Sequence, residues 1–183
     1  MDDLVGRIVA LHEALSHAGL PHAFGGALAL AWCTERARGT IDIDVNLLIP
    51  AADWKRALAA LPAAVKVTAK DRMLLERDGQ VRVWWGKTPL DVFLNSTGFH
   101  DGLRQRVRVE TFAGRQIPFL SCFDLAVFKA FFSRTKDWAD LEDMAAAGTL
   151  DAGRVQATLI EYLGADDERV SQVARAADKG SIG

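Results

Sequence analysis

The stretch FGGALALAWCTERARGTIDIDVNLLI, residues 24–49, decides how the rest of this 183-residue chain is interpreted. It contains two adjacent glycines, an apolar run, a basic connector with Arg36 and Arg38, and two aspartates that alternate with aliphatic residues. In a β-strand, residues two apart lie about 6.6 Å from each other along one face. Asp42 and Asp44 are therefore predicted to point to one side of a strand while the aliphatic residues point into a core.

The two glycines stand at the junction between a predicted strand over residues 22–24 and a predicted helix over residues 27–35. Glycine at such a junction lets an anion approach the bare backbone N–H groups at the helix N-terminus. Two neighbouring carboxylates are costly unless a cation lies between them. Gly25 and Gly26 followed by the paired aspartates therefore predict a cradle for a triphosphate beside a site for Mg²⁺.

Length, composition and charge limit the class of protein. A chain of 183 residues predicts one domain, or one domain with a small helical appendage, and a 50% share of apolar residues is enough for a sizeable core. The net charge of −2 argues against a surface that wraps nucleic acid, although a local basic patch stays open. Cys33 and Cys122 lie far apart in apolar or helical surroundings, which predicts reduced cysteines in a cytoplasmic protein. The acidic N-terminus and the lack of a long apolar run predict that the protein is neither exported nor inserted into a membrane.

The segments before and after residues 24–49 show helical and strand periodicities. Residues 3–18 have apolar positions at three- and four-residue spacing and predict an amphipathic helix capped by Asp2 or Asp3, with His12 and His17 exposed to solvent on its polar side. A further helix is predicted over residues 52–61, and strands over residues 65–69, 73–77 and 81–85.

The predicted strands carry two features of interest. The dipeptide Asp78-Gly79 fits a two-residue hairpin turn between strands. Trp84 and Trp85 are adjacent on a strand and must face opposite sides, so one belongs to the core and the other either packs or offers a base-stacking platform.

A single acidic residue interrupts the predicted strand LDVFLN over residues 90–95. A carboxylate is unfavourable inside a buried strand, so Asp91 needs an explanation. If this strand pairs beside the one that carries Asp42 and Asp44, its carboxylate completes a cluster of three acids.

The C-terminal third begins with a predicted hairpin over residues 106–112 and 115–120, with four arginines close by: Arg104, Arg106, Arg108 and Arg115. These arginines form either a solvated strand face, which we favour, or a positive strip for RNA. Ser121 caps a helix with Asp124 at the capping-box position. If that helix is unbroken, four polar residues share one stripe: Lys129, Ser133, Lys136 and Asp140. Two more helices are predicted over residues 151–163 and 166–178.

In this order, the motifs resemble those of the DNA polymerase β nucleotidyltransferase superfamily. The resemblance is carried by GG before a helix, R-x-R-x-T-x-D-I-D-V, and the strand L-D-V-F. The segment FLSCFDLAVFKAFFSRTKDWADLEDM is similar to the lysine and K-D-x-x-D-L segment of the AbiEii/AbiGii-type branch, which includes type IV toxin–antitoxin nucleotidyltransferases. The resemblance spans residues 22–145. This chain departs from it in a slightly longer gap between Gly26 and Asp42, and in having Gly26 where many active members carry serine.

The resemblance implies an α+β fold in two regions. A polymerase β-like nucleotidyltransferase core, a small mixed β-sheet with helices on one side, would occupy residues 1–120. A C-terminal helical region, residues 121–183, would pack on that core.

The resemblance also implies the roles of individual residues. Asp42 and Asp44 would hold the divalent metals, with two Mg²⁺ ions expected, and Asp91 would complete the second site and act on the attacking hydroxyl. Gly25 and Gly26 would lie against the β- and γ-phosphates of an NTP.

Two residues of the later segment complete the implied site. Lys129 would contact the nucleotide, and Asp140 matches the acid of the K-D-x-x-D-L segment.

The function implied is transfer of NMP from an NTP to a hydroxyl. The toxin-type branch points to the 3′ end of a tRNA or another RNA as acceptor, and to a cognate antitoxin as protein partner. Two alternatives stay open: the same chemistry on a small molecule such as an aminoglycoside-type antibiotic, or a non-catalytic nucleotide-binding component of a toxin–antitoxin pair.

Overall fold

The computed structural model describes residues 4–36 and 39–180. Within these residues the chain has the predicted α+β class, with one open mixed sheet and helices distributed along the chain. The strands are β1 (His22–Phe24), β2 (Ile43–Pro50), β3 (Val65–Lys66), β4 (Gln80–Trp85), β5 (Thr88–Asn95), β6 (Arg108–Phe112) and β7 (Arg115–Phe119). The helices are α1 (Leu4–His17), α2 (Gly26–Thr34), α3 (Trp54–Ala59), α4 (Ala69–Asp78), α5 (Leu103–Arg106), α6 (Cys122–Phe132), α7 (Thr135–Ala146), α8 (Ala152–Leu163) and α9 (Glu168–Gly180). The predicted caps Asp2 and Asp3, and Arg38 of the basic connector, lie outside the described residues.

The chain divides into two compact units. The first contains the chain up to Leu28 together with Gly39–Phe119, and therefore the whole sheet. The second contains the stretch that begins at Ala29 and the chain from Leu120 onward. Helix α2 starts in the first unit and ends in the second.

The sheet of the first unit has the strand order β3-β4-β5-β2-β1-β7-β6. Strands β2 and β5 are parallel, and β5 is also paired with β4 in an antiparallel hairpin. The core side of β2 and β5 is apolar and fully buried. Its residues are Ile43, Val45, Leu47, Leu90 and Val92. Because strand side chains alternate, the polar residues between these positions lie on the opposite side.

Helix α4 replaces the strand predicted over residues 73–77. Thr68 and Asp71 form a capping box, in which the Thr68 hydroxyl accepts from the Asp71 N–H at 3.2 Å and the Asp71 carboxylate accepts from the Thr68 N–H at 2.8 Å. Gly79 ends the helix in the left-handed conformation, with φ of 67°. The predicted Asp-Gly hairpin turn is therefore wrong, because that glycine terminates a helix whose start signal, T-x-x-D, was overlooked.

The two cysteines form a disulfide within the second unit, with a Cα–Cα distance of 5.6 Å. The prediction that they are reduced is wrong. Since 89 residues separate Cys33 from Cys122, no local pattern in the sequence reveals that they meet. The bond connects the last turn of α2 to the first residue of α6.

Trp84 and Trp85 face opposite sides of β4, as predicted from strand alternation. Trp85 is buried and Trp84 is exposed. Among the described helices, none has both the length and the apolar composition needed to cross a bilayer.

Candidate active site

Two of the three predicted acids lie side by side on the parallel strands of the sheet. Asp44 of β2 and Asp91 of β5 are direct partners in the register. The core residues on either side of each acid are buried, so both carboxylates lie on the opposite side of the sheet. The predicted pairing of the two strands is therefore confirmed.

The third acid, Asp42, lies just before β2. Its backbone N–H donates to the Thr40 hydroxyl at 3.1 Å. Its carboxylate reaches the same group as that of Asp91: Nη2 of Arg82 is 2.6 Å from Asp91 Oδ2 and 3.2 Å from Asp42 Oδ2. The structure thus links the three predicted acids in two ways. Asp44 and Asp91 are partners in the strand register, and Asp42 and Asp91 share one nitrogen of Arg82.

Arg82 is a site residue that the sequence analysis missed. It faces Asp91 across the antiparallel β4–β5 pair, and its guanidinium donates to both carboxylate oxygens, from Nε at 2.8 Å and from Nη2 at 2.6 Å. The hydrogen bond to Asp91 raises the pKa of Arg82, and the charges of the three carboxylates raise it further. Arg82 is therefore permanently charged at this position.

A signal for Arg82 was present in the sequence. Trp85 pairs with Thr88, so the hairpin turns at Gly86 and Lys87, and Gly86 has the left-handed φ of 62°. Counting back from that turn places Arg82 opposite Asp91. A hairpin turn placed at Asp78-Gly79 pairs β4 with the preceding segment and therefore does not predict that Arg82 faces Asp91.

The two glycines pack directly against the acids. The Gly25 N–H donates to the backbone carbonyl of Asp44 at 2.9 Å. Gly26, with φ of 53°, begins α2, and a Cβ built on it would lie 2.6 Å from Cγ of Asp44 and closer still to a carboxylate oxygen. A side chain at Gly26 would therefore displace the Asp44 carboxylate. This packing gives a physical reason for glycine where the superfamily resemblance would place serine.

An open pocket of 240 Å³ lies beside Asp91. Arg82 and Asp91 form one part of its wall. The other lining residues are Leu74, Asp78, Gln80, Val81 and Phe93. The carboxylate of Asp91 is therefore accessible from a cavity that has both apolar and polar walls.

The donor set fits a hard divalent cation. Mg²⁺ prefers carboxylate oxygens, which Asp42, Asp44 and Asp91 offer, and a guanidinium lies between the carboxylates of Asp42 and Asp91. As they stand, no three His, Cys, Asp or Glu side chains of residues 4–36 and 39–180 form a group that could hold a metal. The carboxylates of Asp42 and Asp91 turn towards Arg82, so metal binding here requires a rearrangement of these side chains.

Lys129 and Asp140, the other two predicted site residues, lie in the second unit and contact each other. Lys129 Nζ is 2.6 Å from Asp140 Oδ2 and 3.5 Å from Asp137 Oδ1. Asp137 also accepts from Nε of Arg134 at 2.6 Å. Lys129, Asp137 and Asp140 are all buried.

The helix is interrupted, so the condition for a single stripe of the four polar residues is not met. Ser133 adopts the left-handed conformation, with φ of 55°, and separates α6 from α7. Lys129 and Asp140 meet because the two helices pack against each other.

Arg108 and Arg115, two of the four arginines close to the β6–β7 hairpin, form ion pairs with acids. Arg108 forms an ion pair with Glu110 at 2.5 Å, and Arg115 with Glu13 at 3.0 Å. These pairs support the favoured interpretation, a solvated strand face, over a strip that binds RNA.

A histidine pair in the first unit was also missed. His22 is buried, and its Nε2 lies 2.9 Å from Nδ1 of His12, while its Nδ1 lies 2.8 Å from the Leu20 carbonyl. The carbonyl can only accept, so His22 Nδ1 donates to it and His22 Nε2 accepts from His12. His17 is exposed as predicted, but the prediction of an exposed His12 is wrong.

This pair predicts that acid destabilises the protein. Burial lowers the pKa of His22 from 6.5 to about 4. As the pH falls below 6.5, the unfolded chain binds a proton at His22 that the folded chain does not bind, so the His22 contribution to the free energy of unfolding should drop by about 3 kcal/mol between pH 6.5 and pH 4. Urea unfolding at a series of pH values measures this slope. His22→Gln should flatten it and the exposed His17→Gln should not; an equal slope in both variants would contradict the assignment.

Comparison with known proteins supports the fold. No family model and no curated protein matches the chain. Among solved structures, the solution structure of the antibiotic-resistance factor ANT(2'')-Ia aligns over 97% of this chain and 95% of that chain, with a TM-score of 0.60 and 16% identity. The crystal structure of ANT(2'')-Ia in complex with adenylyl-2''-tobramycin aligns over 94% and 96%, with a TM-score of 0.58 and 17% identity.

A third similar structure is an antigenic nucleotidyltransferase-like protein from Paracoccidioides brasiliensis. It aligns over 94% of this chain and 93% of that chain, with a TM-score of 0.53 and 14% identity. At these identities the likeness shows the fold alone. The chain therefore has a nucleotidyltransferase fold, in agreement with the α+β core predicted from its sequence.

Proposed function

We propose that this chain is a metal-dependent nucleotidyltransferase that transfers NMP from an NTP to a hydroxyl group. The observation that carries the proposal is the register that sets Asp44 beside Asp91. Asp42 joins them through the guanidinium that it shares with Asp91. The likeness in fold to nucleotidyltransferases supports it.

Asp42, Asp44 and Asp91 would hold the metal ions, for which we propose two Mg²⁺. When bound, such a pair of ions stabilises the attacking and the leaving oxygens of an in-line displacement. Gly25 and Gly26 would lie against the phosphates at the start of α2, and because the Gly25 N–H already donates to Asp44, the donors to phosphate oxygens would be N–H groups of the first turn of α2.

The acceptor hydroxyl, the NTP and Asp91 together account for the bonds and the proton in the proposed transfer. The acceptor hydroxyl oxygen forms a bond to the α-phosphorus, and the bond to pyrophosphate breaks. Asp91, which borders the pocket, would take the hydroxyl proton, and pyrophosphate leaves with the electron pair of the broken bond.

For the acceptor we propose a small molecule with a free hydroxyl. The 240 Å³ pocket beside Asp91 could accommodate part of such a molecule, and its wall contains the polar side chains of Asp78 and Gln80. The ANT(2'')-Ia structure with adenylyl-2''-tobramycin shows a chain of similar fold with an adenylylated small molecule, which makes aminoglycoside-type compounds the first acceptors to test.

A tRNA 3′ end with a cognate antitoxin is the second candidate. It rests on the toxin-type resemblance of the segment that contains Lys129 and Asp140, which form a buried ion pair at 2.6 Å.

One experiment separates these possibilities. The purified chain is incubated with Mg²⁺, each of the four α-labelled NTPs, and either an aminoglycoside panel or total tRNA, while pyrophosphate release is measured. Label on a small molecule supports the proposal, and label on tRNA replaces its acceptor. Binding of NTP and Mg²⁺ without pyrophosphate release would show a non-catalytic component, and failure to bind any NTP would overturn the proposal.

A further inference from the structure

We propose that Arg82 is a resident counter-ion that a divalent metal must displace from Asp91 and Asp42, and that it thereby sets the metal affinity of this site. The inference rests on the proposed function, because it assumes that these acids bind metal. It concerns a residue for which the family resemblance gives no role.

The contacts of Arg82 define it as a bridge between two acids. Two of its nitrogens engage both oxygens of Asp91, and one of these nitrogens also reaches Asp42. Asp44 and Arg82 are the two register partners of Asp91, one on each neighbouring strand. In this state the guanidinium is shared between the carboxylates of Asp91 and Asp42.

A metal ion would compete for the same oxygens. Divalent cations bind carboxylate oxygens directly, and a guanidinium held beside them adds a repulsive positive charge. The Arg82 side chain is 49% exposed, so it can leave the acids towards solvent without disturbing the core. Metal binding must therefore overcome the ion pairs that Arg82 already makes.

Once a metal ion has displaced Arg82 from Asp91 and Asp42, its guanidinium can pair with another anion. Its planar fork of donors matches phosphate oxygens as well as carboxylate oxygens. An NTP that arrives with the metal supplies such oxygens. The structure therefore predicts that metal and nucleotide bind cooperatively, and that part of this cooperativity depends on Arg82.

Metal affinity without nucleotide tests the inference directly. Binding of Mn²⁺ is measured by calorimetry, and by the loss of the free-ion signal in electron paramagnetic resonance, for the unchanged chain and its variants. Arg82→Gln should bind Mn²⁺ about fivefold more tightly, the size expected from the loss of a half-exposed ion-pair network. Arg82→Lys keeps the charge but loses the planar fork of donors, so its Mn²⁺ affinity should lie between those of the unchanged chain and Arg82→Gln.

Arg77→Gln is the matched control. Arg77 is exposed and pairs with Asp78 through two contacts of 2.6 Å, so its loss removes the same charge from the same unit and leaves the ion pairs of Asp42 and Asp91 in place. Its Mn²⁺ affinity should stay within about twofold of the unchanged chain.

Thermal unfolding gives a second readout that does not require activity. In chelator, Arg82→Gln should unfold at a lower temperature than the unchanged chain, because the carboxylates of Asp91 and Asp42 then lose the guanidinium that they share. Added Mn²⁺ should raise the unfolding temperature of this variant by more than that of the unchanged chain. The nucleotide-induced gain in Mn²⁺ affinity should be smaller in the variant.

The outcomes distinguish this inference from the proposed function. If the unchanged chain binds Mn²⁺ and Asp44→Asn abolishes binding, but Arg82→Gln binds no more tightly, the inference about Arg82 is wrong and the proposed metal site stands. If neither the unchanged chain nor Arg82→Gln binds Mn²⁺, both are overturned. If only Arg82→Gln binds, Arg82 blocks the site and the proposed activity of the unchanged chain fails.

Discussion

Asp44→Asn should lower the rate of nucleotidyl transfer by at least about 10³-fold, because metal ions contribute several kcal/mol of transition-state stabilisation and each 1.36 kcal/mol corresponds to a tenfold change in rate. Asparagine keeps the shape of the side chain and removes its charge. Since Asp44 lies on the side of β2 opposite the core, the variant should fold normally. The rate is measured as pyrophosphate release with the acceptor that the labelling experiment identifies.

Asp78→Asn is the matched control for this loss. Asp78 borders the same pocket and pairs with an arginine, but it is not in the register row of Asp44 and Asp91. Its removal should change the rate by less than about tenfold, the effect of losing an exposed ion pair. Equal losses in Asp44→Asn and Asp78→Asn, or substantial activity in Asp44→Asn, would contradict the metal-ligand role.

The second large effect is expected on stability. Lys129→Met should lower the free energy of unfolding by about 3–5 kcal/mol, because it leaves the buried carboxylate of Asp140 without the ammonium that neutralises it. Asp137 keeps its contact with Arg134, so the loss of Lys129 should be less unfavourable for its carboxylate than for that of Asp140. Urea unfolding followed by circular dichroism measures the difference.

A double variant and a surface control make this prediction specific. Lys129→Met with Asp140→Leu replaces the buried pair by apolar side chains and should recover most of the loss. Lys179→Met breaks the exposed pair between Lys179 and Glu142 and should cost less than about 1 kcal/mol. If Lys129→Met lowers the free energy of unfolding no more than Lys179→Met does, the buried pair does not stabilise the fold to the extent expected from its burial.

The same double variant tests the nucleotide contact of Lys129. If it is folded but binds NTP much more weakly than the unchanged chain, the lysine contacts the nucleotide in addition to stabilising the second unit. An unchanged Kd for NTP would assign Lys129 and Asp140 a structural role only.

The neighbourhood of the acids could be predicted from sequence because each part has a short-range signal. Strand alternation places Asp44, paired glycines mark the start of α2, and an acid within an apolar strand marks Asp91, whereas Asp42 lies one residue before the strand on which it was predicted. Each of these signals depends on residues close together in the chain. Their assembly then follows from the pairing of two strands.

The features that were missed depend on longer-range contacts or on a misinterpreted turn. The misassigned Asp-Gly turn concealed the register that sets Arg82 against Asp91. The disulfide joins residues 89 positions apart, and the bond between His12 and His22 joins a helix to a strand. Such contacts are set by tertiary packing, which no local periodicity encodes.

The parallel pairing of β2 with β5 also limits how this chain can diverge. Because successive strand residues point to opposite sides, inserting or deleting one residue within either strand would turn Asp44 or Asp91 into the core. Apolar positions can exchange for one another at modest cost, but the spacing cannot change. Homologous chains should therefore concentrate their length variation in the connections outside these two strands, even where little identity remains.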